Sequence, residues 1–223
     1  MPGSLPFSCA LITSGGGGIG KALASYLINT HKIKVLLAGR TESTLSASAR
    51  EIGAAGYYVL DVGDTASIAP FVAQITAEHP ELDCLINNAD GNDSSTAAAT
   101  INVSSVLGFV PFSIVNPIYN GTKAWLHKAW LHFWSMNLRT QLRATGVAVF
   151  EIAPPTVATD LHRERADPDY NNKNKNPGAL SVCEFADGVG KRLVAGEDTI
   201  GGDMNMDVVE RGYVFFPVKW ETL

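Results

Sequence analysis

Residues 7–27, FSCALITSGGGGIGKALASYL, run a strand-length apolar stretch into four consecutive glycines and out into a segment with apolar residues at Ala22, Leu23, Tyr26 and Leu27. That last spacing is the signature of one buried helical face. Strand, glycine turn and helix in this order open a parallel α/β unit. Backbone amides at the helix start, with the positive end of the helix dipole, suit a phosphate group there. Gly15, Gly17 and Gly20 fit the spacing GxGxxG, while Gly18, Ile19 and Gly20 fit the end of a TGxxxGxG pattern starting at Thr13. Four adjacent glycines leave both registers open.

Outward from this unit, apolar runs of strand length alternate with amphipathic segments of helix length, the pattern of a parallel sheet covered on both faces. Strands are expected at about 7–13, 34–38, 57–61, 82–86, 100–104, 147–152 and 198–201. A first helix is expected at about 19–30. Asp64 reads as the N-cap of another, which runs through Ile68, Phe71, Val72 and Ile75 to a stop near Pro80. A long helix should run from about Pro117 to Thr145, with Gly146 as its C-terminal cap. The expected fold is a doubly wound, mostly parallel, Rossmann-like α/β sheet with helices on both faces, in one domain over residues 1–223. Residues 160–179, polar and rich in Asn and Pro, should form a lid-like connection after a motif-bearing strand.

Composition narrows the classes. The chain has 223 residues, 46% hydrophobic and 17% charged, enough for one large core. A net charge of -5 and a pI near 5.5 give no electrostatic footprint for nucleic acid or an anionic membrane. No stretch approaches the roughly 18 apolar residues of a membrane span. The start lacks a basic leader, so no secretory signal is expected. Cys9, Cys84 and Cys183 are widely spaced among apolar neighbours, which suits buried thiols in the cytoplasm. With no close Cys or His pair, no metal site is expected.

Candidate chemistry sits in residues 101–123, INVSSVLGFVPFSIVNPIYNGTK, where a strand-like run ends in Ser104 and Ser105 and is followed by Tyr119 and Lys123. Four residues apart, a phenol and an ammonium share one helical face. The ammonium favours the phenolate, so the tyrosine can exchange a proton nearer neutral pH than its usual value of about 10. Arg40, at the end of the second strand and twenty residues after Gly20, suits the 2'-phosphate of NADP, and Glu42 close by leaves NAD open.

In their order along the chain, the glycine loop, Asp61, LINNAD, INVSS, YNGTK and PPTVATD resemble the short-chain dehydrogenase/reductase family. YNGTKAWLH, NLRTQL and EIAPPTVATDLHRER look like a branch near the bacterial oxidoreductases linked to lipoteichoic-acid alanylation operons. The resemblance implies hydride transfer between NADP(H), or NAD(H), and a small carbonyl or alcohol. Tyr119 would be the proton donor in reduction, Lys123 would hold the nicotinamide ribose, and Ser105 would hydrogen-bond the substrate oxygen, with Ser104 as alternate. Further contacts implied for the cofactor are Thr13, Ser14, Gly15, Gly17, Gly18, Ile19 and Gly20 in the loop, then Asp61 and Val62 at the adenine. Asn88 and Ala89 would lie on the ribose side, and Pro155, Val157 and Thr159 at the nicotinamide amide.

Four departures stand against simple transfer. Ser14 replaces the first glycine of TGxxxGxG, and Asp90 the glycine that closes NNAG. Ten residues between Asp90 and Ile101 stand where the family has a crossover helix, a loss expected to uncover apolar sheet surface and weaken any homo-oligomer. KAWLH occurs twice in tandem, at 123–127 and 128–132, so five extra residues rotate the downstream part of the helix by about 140° if it is continuous. The competing reading is a catalytically impaired descendant that binds a nucleotide or a partner.

Overall fold

The computed structural model describes residues 4–89, 99–109, 129–160 and 172–201. Seven strands form one sheet, namely β1 (Cys9–Thr13), β2 (Lys34–Gly39), β3 (Gly56–Val59), β4 (Cys84–Asn87), β5 (Ala99–Val103), β6 (Ala148–Ala153) and β7 (Thr199–Gly201). Every neighbouring pair is parallel, in the order β3-β2-β1-β4-β5-β6-β7. The described helices are α1 (Gly18–His31), α2 (Glu42–Ile52), α3 (Thr65–Glu78), α4 (Trp130–Leu142) and α5 (Val182–Ala195). This is the doubly wound Rossmann-like arrangement expected from the apolar runs.

Strand periodicity distributes the core. Ala10 and Ile12 of β1 join Leu23 and Leu27 of α1 and Phe185 and Val189 of α5 on one face. Cys9 and Leu11, one residue out of phase, meet Ile75 and Phe71 of α3 on the other. Burying each such Leu, Ile or Phe side chain contributes about 1.5–3 kcal/mol. Helix ends follow local chemistry: the Asp64 carboxylate accepts from the Ala66 N–H at 3.2 Å, and Ser181 and Glu184 form a reciprocal capping box on α5.

Four expectations are affected. The long helix stops at Leu142, because the Thr145 N–H turns back to the Leu142 carbonyl at 2.8 Å. Gly146 does adopt a positive φ of 75°, but in the turn beyond the helix. Cys183 is exposed on α5, whereas Cys9 and Cys84 are buried, and burial pushes both buried thiols up towards the protonated, unreactive form. The sheet surface around β4 and β5 is not uncovered, since every residue of both strands is buried. Whether a crossover helix is missing falls on residues 90–98, outside the described residues.

Candidate active site

The sheet order reverses at β1, which sends the chain to β2 on one side and receives β4 on the other. Such a reversal leaves a crevice at the carboxyl ends of the strands. Thr13 and Asn88 clamp its floor. The Thr13 Oγ1 accepts the Asn88 and Ala89 N–H groups at 3.0 Å each, and the Asn88 Nδ2 donates to the Thr13 carbonyl at 3.2 Å and the Ser14 carbonyl at 3.4 Å. Asn88 therefore acts on the loop itself, through its side-chain amide.

The glycine loop is pinned from below and open above. Gly15 donates its N–H to the Ala38 carbonyl at 3.1 Å, and Ser48 of α2, which the sequence did not single out, donates its hydroxyl to the Gly16 carbonyl at 2.8 Å. A Cβ on Gly15 would lie 2.8 Å from Leu37 Cδ2 and 3.0 Å from the Ile12 carbonyl oxygen, so the strand side leaves little room for a side chain there. A Cβ on Gly17 would meet nothing within 4 Å, which leaves room above the α1 N-terminus. Ile19 packs on the core below. Ser14 holds a φ of 52°, a left-handed conformation unusual for a residue with a side chain.

Around this loop the structure gathers other expected residues. Thr159 after β6 reaches Gly18: a Cβ there would lie 3.7 Å from Thr159 Cβ and Cγ2. Pro155 is half-buried, and Val157 is 5% exposed, bridged to Leu180, with its side chain in the core. Arg40 is exposed immediately after β2. Asp61, exposed after β3, accepts the Gly63 N–H at 2.9 Å and so shapes its own turn, while Val62 packs on the α3-side core. These residues fit a dinucleotide: an open glycine loop on a helix N-terminus, and a cation at the second strand.

The two serines after β5 differ. Ser104 is 4% exposed and donates its hydroxyl to Glu151 Oε1 at 2.6 Å. Ser105 is half-buried and caps a 3₁₀ turn at Val106–Gly108, its Oγ accepting the Leu107 N–H at 3.3 Å. That leaves the Ser105 hydroxyl proton to donate outward. Tyr119, Lys123 and Asp90 lie outside the described residues, as does part of the 160–179 connection.

A buried polar seam, overlooked in the sequence, lies beneath α4. The Asn87 Nδ2 donates to Asn102 Oδ1 at 2.9 Å, and the Asn102 Nδ2 to Ser135 Oγ at 3.1 Å. Glu151, fully buried, places its second oxygen 2.7 Å from His132 Nδ1. Arg139 donates to the carbonyls of Val149 and Asp198 at 2.9 Å and 2.5 Å. Polar residues alternating with apolar ones in TINVS, and a single charge inside VFEI, were the available signal, since a strand buried on both faces must satisfy each of them.

Residues 8–100 match the family described as short chain dehydrogenase. The chain is 29% identical to an uncharacterised oxidoreductase, DltE, of Bacillus subtilis, over 86% of this chain and 88% of that one. It is 27% identical to an NADP-dependent 3-hydroxy acid dehydrogenase of Schizosaccharomyces pombe, over 75% and 80% of the two chains. Its fold superposes on the L-sorbose reductase of Gluconobacter frateurii, solved with NADPH and L-sorbose, with a TM-score of 0.69 at 17% identity, covering 92% and 99%. No described helix is long and apolar enough to cross a membrane.

Proposed function

We infer that this chain belongs to the short-chain dehydrogenase/reductase family and is an NADP-linked oxidoreductase that interconverts a small carbonyl compound and its alcohol. One observation carries the reading: the glycine loop after β1, Thr159 after β6 and Ser105 after β5 share the carboxyl edge of one parallel sheet. With strands about 4.8 Å apart, the ends of β1 and β5 stand only about 10 Å from each other. A cofactor diphosphate on the loop and a substrate oxygen at Ser105 are within one ligand's reach.

The bound nicotinamide supplies or accepts the hydride. The chain's own groups hold and move the proton. Ser105 donates its hydroxyl to the substrate oxygen, a role closed to Ser104 because its hydroxyl is already held by buried Glu151. Tyr119 is the proton donor in reduction, with its acidity raised by Lys123, which also binds the ribose. Arg40 pairs with the 2'-phosphate, in keeping with the NADP dependence of the named relative. Thr159, Pro155 and the Val157 backbone border the carboxamide, Ala89 the ribose, and Asp61 and Val62 the adenine. Among substrates, 3-oxo and 3-hydroxy acids come first, by likeness to that relative. Three unpaired cysteines fit a reducing cytoplasm.

NADPH fluorescence titration, followed by turnover on a panel of small carbonyls that includes 3-oxo acids, tests the reading. Tyr119→Phe should abolish turnover and keep NADPH binding, since it removes only the exchangeable proton. A native chain that does not bind NADPH overturns the assignment, and a Tyr119→Phe variant with native turnover overturns the proton donor.

A further inference from the structure

We propose that Glu151 is a positioning residue that sets Ser105 against the helix following the Tyr119 to Lys123 segment; the proposal rests on the oxidoreductase reading above for its catalytic consequence. Glu151 lies inside β6 with no solvent exposure. Its two oxygens face opposite elements: Oε1 accepts the hydroxyl of Ser104, one residue before Ser105, at 2.6 Å, and Oε2 lies 2.7 Å from His132 Nδ1, in the first turn of α4. One carboxylate thus fastens the end of β5 to the start of α4.

Surrounding contacts make the fastening stiff. The Ser104 N–H is held by the Ile152 carbonyl at 2.7 Å, and the Val106 N–H by the Pro154 carbonyl at 3.1 Å, so Ser105 sits between two tethers to β6. The Phe109 ring, just after the 3₁₀ turn, packs on the His132 ring with centroids 4.4 Å apart. His132 therefore meets one end of the segment that carries Ser105 directly, at Phe109, and the other end, at Ser104, through Glu151. Placing a buried carboxylate costs desolvation, which is offset only when both oxygens find donors; the Ser104 hydroxyl is one, and the His132 ring in its Nδ1–H form is the other. Truncation leaves the Ser104 hydroxyl and the His132 ring without that partner, and the Ser105 turn loses its fixed distance from α4.

The effect on chemistry comes from geometry. A displacement of about 1 Å between a hydrogen-bonding hydroxyl and the proton donor can cost roughly 100-fold in rate. The glycine loop lies on β1 and α1 and makes no contact with Glu151, so cofactor binding should be spared. Gln at this position can accept from Ser104 through its carbonyl and donate through its amide to the other tautomer of His132.

Glu151→Ala, Glu151→Gln and Ser135→Ala test the proposal in the full-length chain. Expected for Glu151→Ala is a fall in kcat of about 10- to 100-fold, with NADPH affinity unchanged and a folded melting transition. Glu151→Gln should recover most of kcat. Ser135→Ala, which removes a purely structural clasp of the same helix to Asn102, should lower Tm without a comparable loss of kcat. Amide hydrogen exchange gives a readout free of turnover: Glu151→Ala should speed exchange at Val106 to Phe109 and leave the glycine loop as it was. Native kcat in Glu151→Ala overturns the proposal, as does a Gln variant no better than Ala. Unchanged exchange at Val106 to Phe109 overturns it whether or not the native chain turns over. A native chain without turnover, but with the expected exchange change, overturns the oxidoreductase reading and leaves the positioning role standing.

Discussion

Gly20 stands against the Ser14 carbonyl so closely that a Cβ on it would lie 2.6 Å from that oxygen. The same atom would lie 2.7 Å from the Asn88 Nδ2, which already holds the Ser14 carbonyl. Neither neighbour can swing aside, because one is backbone and the other is fixed by two hydrogen bonds to backbone carbonyls. Gly20→Ala should therefore push the loop off α1, weaken NADPH about tenfold or more and lower Tm. NADPH fluorescence titration checks it, and native affinity in the variant would show that the loop does not carry the diphosphate.

Ser14 invites the opposite change. Its φ of 52° is a conformation that costs a side-chain-bearing residue about 1–2 kcal/mol, partly offset by the smaller entropy a non-glycine residue loses on folding. Ser14→Gly should relieve the net strain and raise Tm by about 1–4 °C. A lowered Tm would mean that the serine side chain makes a compensating contact, and a thermal melt decides between them.

Much of this architecture was legible because its strands are apolar on both faces: CALIT and KVLLA declare themselves as buried parallel strands, and all seven expected strands lie within two residues of their observed ends. The Asp64 cap was equally readable, since its carboxylate acts on an N–H two residues away. Contacts distant in sequence were not. Glu151 reads locally as a single charge in an apolar strand, and its partners Ser104 and His132 lie 47 and 19 residues away. Ser48 under the glycine loop is 32 residues from Gly16, with nothing local to distinguish it from a helix-surface serine. The candidate proton donor at Tyr119 rests on its spacing from Lys123 and on the family resemblance of the motifs around it, and it lies outside the described residues.

Arg40 follows β2 at the sheet's carboxyl edge, and among the described residues no ion pair engages it. Its guanidinium is thus available for the 2'-phosphate that separates NADP from NAD. A charge-assisted hydrogen bond of this kind contributes about 1.5–3 kcal/mol. Arg40→Asp should weaken NADPH by roughly 10- to 100-fold and change NADH little, as read by parallel titrations with both cofactors. Equal losses for the two would remove the basis for NADP preference.

The tandem pentad is the sharpest test of how α4 is registered on the sheet. Three residues on one face of α4, spaced as i, i+3 and i+7, seat on the sheet: His132 on Glu151, Ser135 on Asn102, and Arg139 on the Val149 carbonyl. Slipping the helix by five residues would put His127 at Glu151, but also Trp130 into the seat of Ser135, which has no solvent exposure. A Trp cannot occupy a closed serine site without several kcal/mol of overpacking, so the second copy is the docked one. The surplus five residues then fall, in sequence, between Tyr119 and His132. Removing residues 123–127 or 128–132 yields the same polypeptide, YNGTKAWLHFW, which keeps a Lys four residues after Tyr119 and a His four after that Lys. This deletion should leave Tm no lower, because every α4 contact survives, and should raise kcat/KM about tenfold or more by restoring the distance from Tyr119 to the docked face. A collapse of Tm would show that α4 needs both copies to dock. Loss of turnover in a well-folded deletion variant would show that the proton donor works in the register set by the full chain.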